Sequence, residues 1–265
     1  MSAENKKLKV IVFTQEDKFF IPKNILKASE VCDIVEIVDN QSKNSFDNRL
    51  SDLLKWFGFF QCAKMGVYTI IRTAEGILDA LTSYKMFGGT RSVKHAAKKL
   101  GVSFREEKDI NAEDYVEHVR QIAPDLIISY SAPQVVKPTL LSVPKYGVIN
   151  VHGALLPEYR GLLPSFWYLY NDEKLGGATV HKMSAAIDDG DIIKQGSVDI
   201  SDCNSMFELM RKTKTLGGEL MVETIKDYTA GIVECRENKT EEGSCFTWPT
   251  VAQARAFRKK GKKLV

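Results

Sequence analysis

The sequence lacks the cysteine patterns that indicate a disulfide framework or a structural zinc site. Its five cysteines are odd in number and none is spaced as C-x-x-C, whereas paired or clustered cysteines are typical of such sites. They are Cys32, Cys62, Cys203, Cys235 and Cys245. We therefore predict free thiols in a reducing compartment and no metal centre.

Long apolar runs and a strong charge of one sign are also missing. Charged residues interrupt the most apolar stretch, residues 53–81, so the sequence predicts no transmembrane helix. The first residues, MSAENKKLKVIVF, contain too short an apolar run for a secretory signal. A formal charge of +3 is too small to indicate nucleic-acid binding. With 265 residues, 44% of them hydrophobic, the chain can bury one sizeable core, and we expect a cytoplasmic enzyme.

The order of the predicted elements indicates an α/β fold. Strands are predicted at Lys9–Phe13, Asp33–Val38, Asp125–Ser129, Gly147–His152 and Thr179–Met183, and helices at Lys23–Ser29, Ser92–Leu100 and Ala112–Ala123. This alternation predicts a Rossmann-like, mostly parallel twisted sheet with flanking helices, with ligands beyond the carboxyl ends of the strands. A capping box of Ser205 and Glu208 predicts the start of a long helix that ends near Gly231.

We predict a main domain at residues 1–200 and a short C-terminal extension at 201–265 with the long helix and a basic tail. A helical insertion is predicted at 45–90 within the main domain. We interpret it as one or two amphipathic helices packed on the sheet or in a homodimer interface. The alternative is a peripheral membrane contact through a membrane-surface helix. The basic tail is typical of a solvated chain end, and the sequon at 238–240 has no role in a cytosolic protein.

Two segments carry the residues that indicate chemistry. In INVHGALLPEYRG, Ile149 to Gly161, side chains alternate across a strand, so Asn150 and His152 project from the same face. In TVHKMSAAIDDGDII, Thr179 to Ile193, Asp188 precedes a turn at a glycine. Burying an amide and an imidazole without partners costs on the order of 1 to 3 kcal/mol each. The two segments are therefore better explained by a functional site than by packing.

These segments resemble the signature of the 10-formyltetrahydrofolate-dependent formyltransferases. The resemblance covers roughly residues 90 to 200, with the motifs in the family's order. It implies the formyltransferase fold, 10-formyltetrahydrofolate as co-substrate, no metal, and catalysis by Asn150, His152 and Asp188. In that reaction Asn150 would donate to the oxyanion, and His152 would assist there or receive the amine proton. Asp188 would orient His152. If His152 is the base it must be neutral, which predicts activity that falls at acid pH.

The resemblance also implies residues for binding. The donor pocket would be lined by the loop near Gln134, Val135 and Val136 and by the segment from Met183 to Ile187, namely Met183, Ala185, Ala186 and Ile187. On the acceptor side we expect Gln15, Arg160 and His181. Arg160 would contact an anionic part of the substrate or anchor its own loop, and His181 is expected to support the site rather than to react.

The sequence only partly indicates which substrate accepts the formyl group. The loop Thr14–Phe20 after the first strand contains no glycine, which argues against a phosphate loop and against purine synthesis. Ala154 stands where the family motif has serine. The residues after Ile200 leave no room for the barrel domain of methionyl-tRNA formyltransferases. We therefore predict a small-molecule amine, an amino sugar carried on a nucleotide. Alternatives are a methionyl-tRNA formyltransferase-like enzyme without the barrel and a folate-binding or membrane-docked regulatory protein without turnover.

Overall fold

The computed structural model describes residues 7–41 and 49–265. Its strands are β1 (Lys9–Thr14), β2 (Asp33–Asn40), β3 (Ser103–Glu107), β4 (Leu126–Tyr130), β5 (Val148–His152), β6 (Arg160–Gly161), β7 (Leu175–Lys182), β8 (Ile192–Asp199) and β9 (Cys245–Phe246). Its helices are α1 (Ile21–Ser29), α2 (Leu50–Phe57), α3 (Phe59–Leu81), α4 (Val93–Leu100), α5 (Glu113–Ile122), α6 (Pro138–Leu141), α7 (Pro164–Tyr170), α8 (Met206–Ala230) and α9 (Val251–Lys259). Residues 1–6 of the predicted main domain and residues 45–48 of the predicted insertion lie outside the described residues.

Seven strands form the central sheet in the order β3-β2-β1-β4-β5-β7-β8. The first five run parallel, and β7 is antiparallel to both β5 and β8. A short parallel pair of β6 and β9 lies apart from this sheet. The predicted α/β class with a mostly parallel sheet and flanking helices is confirmed.

The central strands are buried on both faces because their sequences are apolar at successive positions. Along β1, Val10 and Val12 pack into a core with α1, α4 and α8, while Ile11 and Phe13 pack into a second core with α5 and α6. All four side chains are fully buried. This alternation follows from the two-residue period of a strand, and it explains why the run reads as continuously hydrophobic.

Helices α4 and α8 begin and end at the capping residues that the sequence predicts. The Ser92 hydroxyl accepts from the His95 amide at the start of α4, and Gly101 ends that helix in a left-handed conformation. The capping box of Ser205 and Glu208 opens α8, which ends at Gly231. These predictions are confirmed. At Gly217, a Cβ atom would lie 2.5 Å from a methyl carbon of Val151, so glycine lets α8 approach β5 directly behind the site.

Residues 49–90 contain two helices, α2 and α3. Rather than lying on the sheet, α2 packs on α9 and α3. The Trp56 ring stacks on Trp248, with centroids 5.6 Å apart. Among residues 7–41 and 49–265, no helix has both the length and the apolar content that a membrane crossing requires.

Candidate active site

Asn150, His152 and Asp188 converge at the carboxyl end of β5. The register of β5 with β7 pairs Asn150 with His181 across the two strands. The turn between β7 and β8 brings Asp188 to the same place. His152 Nδ1 lies 3.3 Å from Asp188 Oδ2, and His181 Nε2 lies 3.6 Å from Asp188 Oδ1. Asn150 Nδ2 lies 3.2 Å from His181 Nε2, so the histidine added by β7 joins the predicted trio into one network.

The Asp188 carboxylate is held ionised in a buried position. Its side chain is 12% exposed, and its Oδ2 accepts from the Gly161 amide at 2.9 Å. Burial favours the neutral acid and opposes ionisation. The charge of His152, the His181 ring and the Gly161 amide together outweigh that penalty, so the pKa of Asp188 lies well below its ordinary value. The site therefore contains a permanent negative charge directed at two imidazole rings.

His152 faces an oxygen atom at each ring nitrogen. Nδ1 faces the Asp188 carboxylate, and Nε2 lies 2.8 Å from the Tyr159 carbonyl oxygen. A neutral imidazole carries a single N–H and can donate to only one of these oxygens, whereas a protonated ring can donate to both. The geometry thus favours His152 as a charged donor paired with Asp188 over His152 as a base.

Tyr159 is a contact of the site that sequence reasoning missed. Its backbone has a positive φ of 57°, which turns its carbonyl toward His152. Its amide donates to Ser244 Oγ at 2.9 Å, and its hydroxyl donates to Glu173 Oε1 at 2.6 Å. Its ring stacks on Tyr168, with centroids 4.2 Å apart. Its position inside the motif PEYRG was the only signal in the sequence.

The C-terminal extension holds the loop that carries Asp188. Asn238 Nδ2 donates to the Asp188 carbonyl oxygen at 2.9 Å, and Thr240 Oγ1 lies 3.2 Å from Asp189 Oδ1. Asn238 is buried. The sequence had indicated no role for this sequon. In the structure, its amide and hydroxyl fix the position of Asp188 from about 50 residues further along the chain.

A cavity of about 820 Å³ opens beside the network. Most of the predicted site residues line it: Gln15, Gln134, Val135, Asn150, His152, His181, Met183, Ala186, Ile187 and Asp188. Its walls include the loop after β4 and the segment before Asp188 on one side. The loop after β1 and the start of α8 form another side. In the described part of the chain, no group of three or more histidine, cysteine, aspartate or glutamate side chains is placed to hold a metal ion.

Three predicted binding residues do not line this cavity. Val136 is fully buried in the core below α5. Ala185 is exposed and does not line the cavity, although its neighbours Ser184 and Ala186 do. The Arg160 guanidinium donates to the Thr240 carbonyl at 3.1 Å, so this residue anchors its own loop, the second of the two roles predicted for it.

The loop after β1 closes on itself rather than leaving amides free. Asp17 Oδ1 accepts from the amides of Phe19, Phe20 and Ile21 at 2.9, 2.6 and 2.9 Å. These are the amides at the start of α1, the position at which helices bind phosphate. Here a carboxylate of the chain itself already satisfies them.

Gly161→Ala is expected to unfold more easily than the unchanged chain and to lose activity. Gly161 has a φ of +90°, and a Cβ atom there would lie 2.2 Å from the Phe246 carbonyl oxygen. The change adds steric overlap to the cost of the left-handed backbone, together more than about 2 kcal/mol. It also displaces the amide that binds Asp188. Urea denaturation measures the loss in the free energy of unfolding.

The control is Gly231→Ala, where φ is +71° and nothing lies within 4 Å of the added carbon. This variant carries the backbone cost alone, about 1 kcal/mol. Equal losses of stability in the two variants would contradict the steric argument.

The profile of the family described as formyl transferase matches residues 74–225 of the chain. A methionyl-tRNA formyltransferase from Clostridium tetani is 33% identical over 155 residues, which cover 58% of this chain and 50% of the relative. The chain therefore spans about half the length of the curated relatives it matches.

Solved structures share the fold. Glycinamide ribonucleotide transformylase 1 from Symbiobacterium toebii aligns over 89% of this chain and 95% of its own, with a TM-score of 0.59 and 15% identity. A 4-N formyltransferase from Francisella tularensis aligns over 96% of this chain and 87% of its own, with a TM-score of 0.58 and 17% identity. At such identities the likeness concerns the fold alone. Because the family profile covers more than half of the sequence, the chain belongs to the formyl transferase family, whose members are enzymes that transfer formyl groups.

Proposed function

We propose that this protein is an N-formyltransferase that moves a formyl group from 10-formyltetrahydrofolate to a primary amine. The observation that carries this proposal is the convergence of Asn150, His152 and Asp188 on one wall of the cavity. In the transfer, a bond forms between the amine nitrogen and the formyl carbon, and the bond from that carbon to the folate nitrogen breaks. The amine loses one proton and the departing folate nitrogen gains one.

Each residue of the network has a place in that chemistry. One N–H of Asn150 is directed at His181, which leaves its second N–H to donate to the oxyanion. His181 Nδ1 lies 2.8 Å from the Lys182 carbonyl oxygen, a contact that holds the ring between Asn150 and Asp188. Asp188 balances the charge on His152, and the two together stabilise negative charge that develops beside them.

The cavity is large enough to hold two ligands side by side. Its volume of about 820 Å³ lies near the upper end for small-molecule sites. The folate would lie between the loop that contains Gln134 and Val135 and the segment from Met183 to Ile187. The acceptor would lie toward the loop after β1, where Phe19, Phe20 and Phe207 form a ring cluster.

We infer a nucleotide-linked amino sugar as the acceptor. The aromatic cluster offers flat faces on which a base can stack, and Lys214, whose ammonium donates to Ser131 Oγ at 3.2 Å, adds a positive charge to the cavity lining. The closed Asp17 turn argues against the phosphate loop expected of purine synthesis. A cytoplasmic location stays a prediction.

Methionyl-tRNA is the second candidate acceptor, because the curated relatives from Clostridium tetani and Halothermothrix orenii carry that name at 33% identity. The chain matches only about half of each of them. A folate-binding protein without turnover is the third candidate, and only an activity measurement separates it from an enzyme.

The test is a screen of amino-sugar nucleotides and methionyl-tRNA with 10-formyltetrahydrofolate, followed by mass spectrometry. We expect one amino-sugar nucleotide to gain the mass of a formyl group. Formylation of methionyl-tRNA alone would assign the second candidate. Folate binding without any product from the wild-type chain would overturn the enzyme proposal.

Asn150→Ala is expected to lower kcat by about 10²–10³, the usual effect of removing one oxyanion donor. Folate binding, measured by fluorescence titration, should change little because Asn150 acts on the reacting carbonyl. Asn204→Ala serves as the control, since its exposed side chain has only one long contact, 3.5 Å to the Asp202 carbonyl oxygen. Equal activity of the Asn150 variant and wild type would remove Asn150 from the mechanism.

A further inference from the structure

Helix α3 turns three of its four charged side chains, Arg72, Glu75 and Asp79, toward the protein. Arg72 contacts Glu75 at 3.2 Å, and Glu75 contacts Arg91 at 2.7 Å. The buried Asp79 carboxylate accepts from the amides of Phe87 and Gly89, both at 2.7 Å. A helix on the surface of a soluble domain normally buries its apolar side and exposes its charged side. In α3 this arrangement is reversed.

The opposite side of α3, which we call the outer face, is apolar and uncovered. Phe60 is 85% exposed, Leu81 is 78% exposed and Ile70 is 69% exposed. The outer face consists of Phe59, Phe60, Val67, Ile70, Ile71, Ile77, Leu78 and Leu81. These positions recur at helical spacing along the 23 residues of α3, a length of roughly 34 Å. A continuous apolar stripe of this size requires a partner or a membrane to cover it.

The exposed charged side chains of this segment are all positive. Between residues 49 and 90, the exposed charged side chains are Lys55, Lys64 and Lys85. The carboxylates in the same range are satisfied elsewhere: Asp52 pairs with Arg49 and Lys55, while Glu75 and Asp79 face inward. The apolar outer face is therefore accompanied by exposed lysines, of which Lys64 and Lys85 have no carboxylate partner among the described residues.

We propose that the outer face of α3 docks on the surface of an anionic lipid bilayer. Apolar side chains would enter the boundary between headgroups and acyl chains, and the lysines would contact acidic headgroups. A second copy of the chain fits less well, because an interface across this face would bring lysines of both copies together without carboxylates to pair them. The helix lies on the membrane and does not cross it.

Docking would also fix the orientation of the cavity relative to the membrane. Met65 and Thr69 lie on the inner side of α3 and line the cavity wall. A single helix therefore separates the cavity from the proposed lipid surface. The docking proposal does not depend on which acceptor is formylated, because it concerns the side of α3 opposite the cavity.

Flotation of the full chain with vesicles tests the proposal. Vesicles of phosphatidylglycerol and phosphatidylcholine are compared with vesicles of phosphatidylcholine alone. We expect the wild-type chain to float with the anionic vesicles and to be released by high salt. The double variant Phe60→Glu with Ile70→Glu should stay in the unbound fraction. Lys64→Gln and Lys85→Gln should each weaken binding roughly fivefold.

Ile232→Glu is the matched control, because Ile232 is 65% exposed and lies outside α3. It should float like the wild type. Light scattering after size exclusion gives the oligomeric state of the same samples. Absence of wild-type binding to anionic vesicles, or loss of binding in the Ile232 variant as well, overturns the proposal. So does a wild-type dimer that the double variant dissociates without any change in lipid binding.

Discussion

Asp188→Asn is expected to lower kcat by a factor on the order of 10³–10⁴, the scale observed when a carboxylate that orients a catalytic histidine is neutralised. The substitution keeps the shape of the side chain and removes its charge. His152 Nδ1 then loses the anion that lies 3.3 Å away, and the Gly161 amide faces a weaker acceptor or an amide nitrogen. Both changes act on the reacting centre, so kcat should fall more than KM rises.

The measurement uses the acceptor that the screen identifies, with steady-state kinetics of the wild type and the variant. Asp191→Asn is the control, since Asp191 is 51% exposed and pairs only with Lys182 at 3.8 Å. It should keep activity close to that of the wild type. Activity of Asp188→Asn within tenfold of the wild type would show that the carboxylate does not position His152.

Asp188→Asn should also change how the free energy of unfolding depends on pH. The folded pKa of Asp188 lies below the unfolded value of about 3.9. Its contribution to the free energy of unfolding is therefore complete above about pH 5 and is lost as pH falls through the folded pKa. The difference between wild type and Asp188→Asn should therefore shrink as pH falls below about pH 4. Urea denaturation between about pH 5 and pH 2 checks it; a difference that grows as pH falls through this range contradicts the assigned direction.

The sequence predicts the parts of this site that depend on short-range signals. The β5 strand and the turn before Gly190 are read from apolar periodicity and turn residues, and these signals are short in range. They place Asn150 and His152 on one face of a strand and Asp188 in a turn, whereas the grouping of the three in one site was implied by the family resemblance. Family resemblance added the assignment of roles to these residues, which the spacing alone did not supply.

The remaining contacts of the site could not be read from the sequence because they join distant segments. The bond from Asn238 to the Asp188 carbonyl spans 50 positions, and that from Tyr159 to Ser244 spans 85. Ser244 belongs to no motif, and the sequon that begins at Asn238 gave no indication of this contact. The inverted orientation of α3 was also hidden, because periodicity finds two faces of a helix and does not tell which of them meets the protein.

His152→Ala is expected to lower kcat by about 10²–10⁴, the range for removal of a group that donates or accepts a proton in the transition state. His152 is 7% exposed, and its ring lies between Asp188 and the Tyr159 carbonyl. Truncation therefore leaves the buried carboxylate without the imidazole that lies 3.3 Å from it. His118→Ala, on α5 and away from the cavity, is the control; Arg105 remains beside Glu36 when His118 is removed.

Steady-state kinetics with the acceptor that the screen identifies measure the effect, and His118→Ala should keep activity close to that of the wild type. A kcat of His152→Ala within tenfold of the wild type would exclude both roles of the ring, as donor and as base. An equal loss in His118→Ala would show that the effect does not arise at the active site.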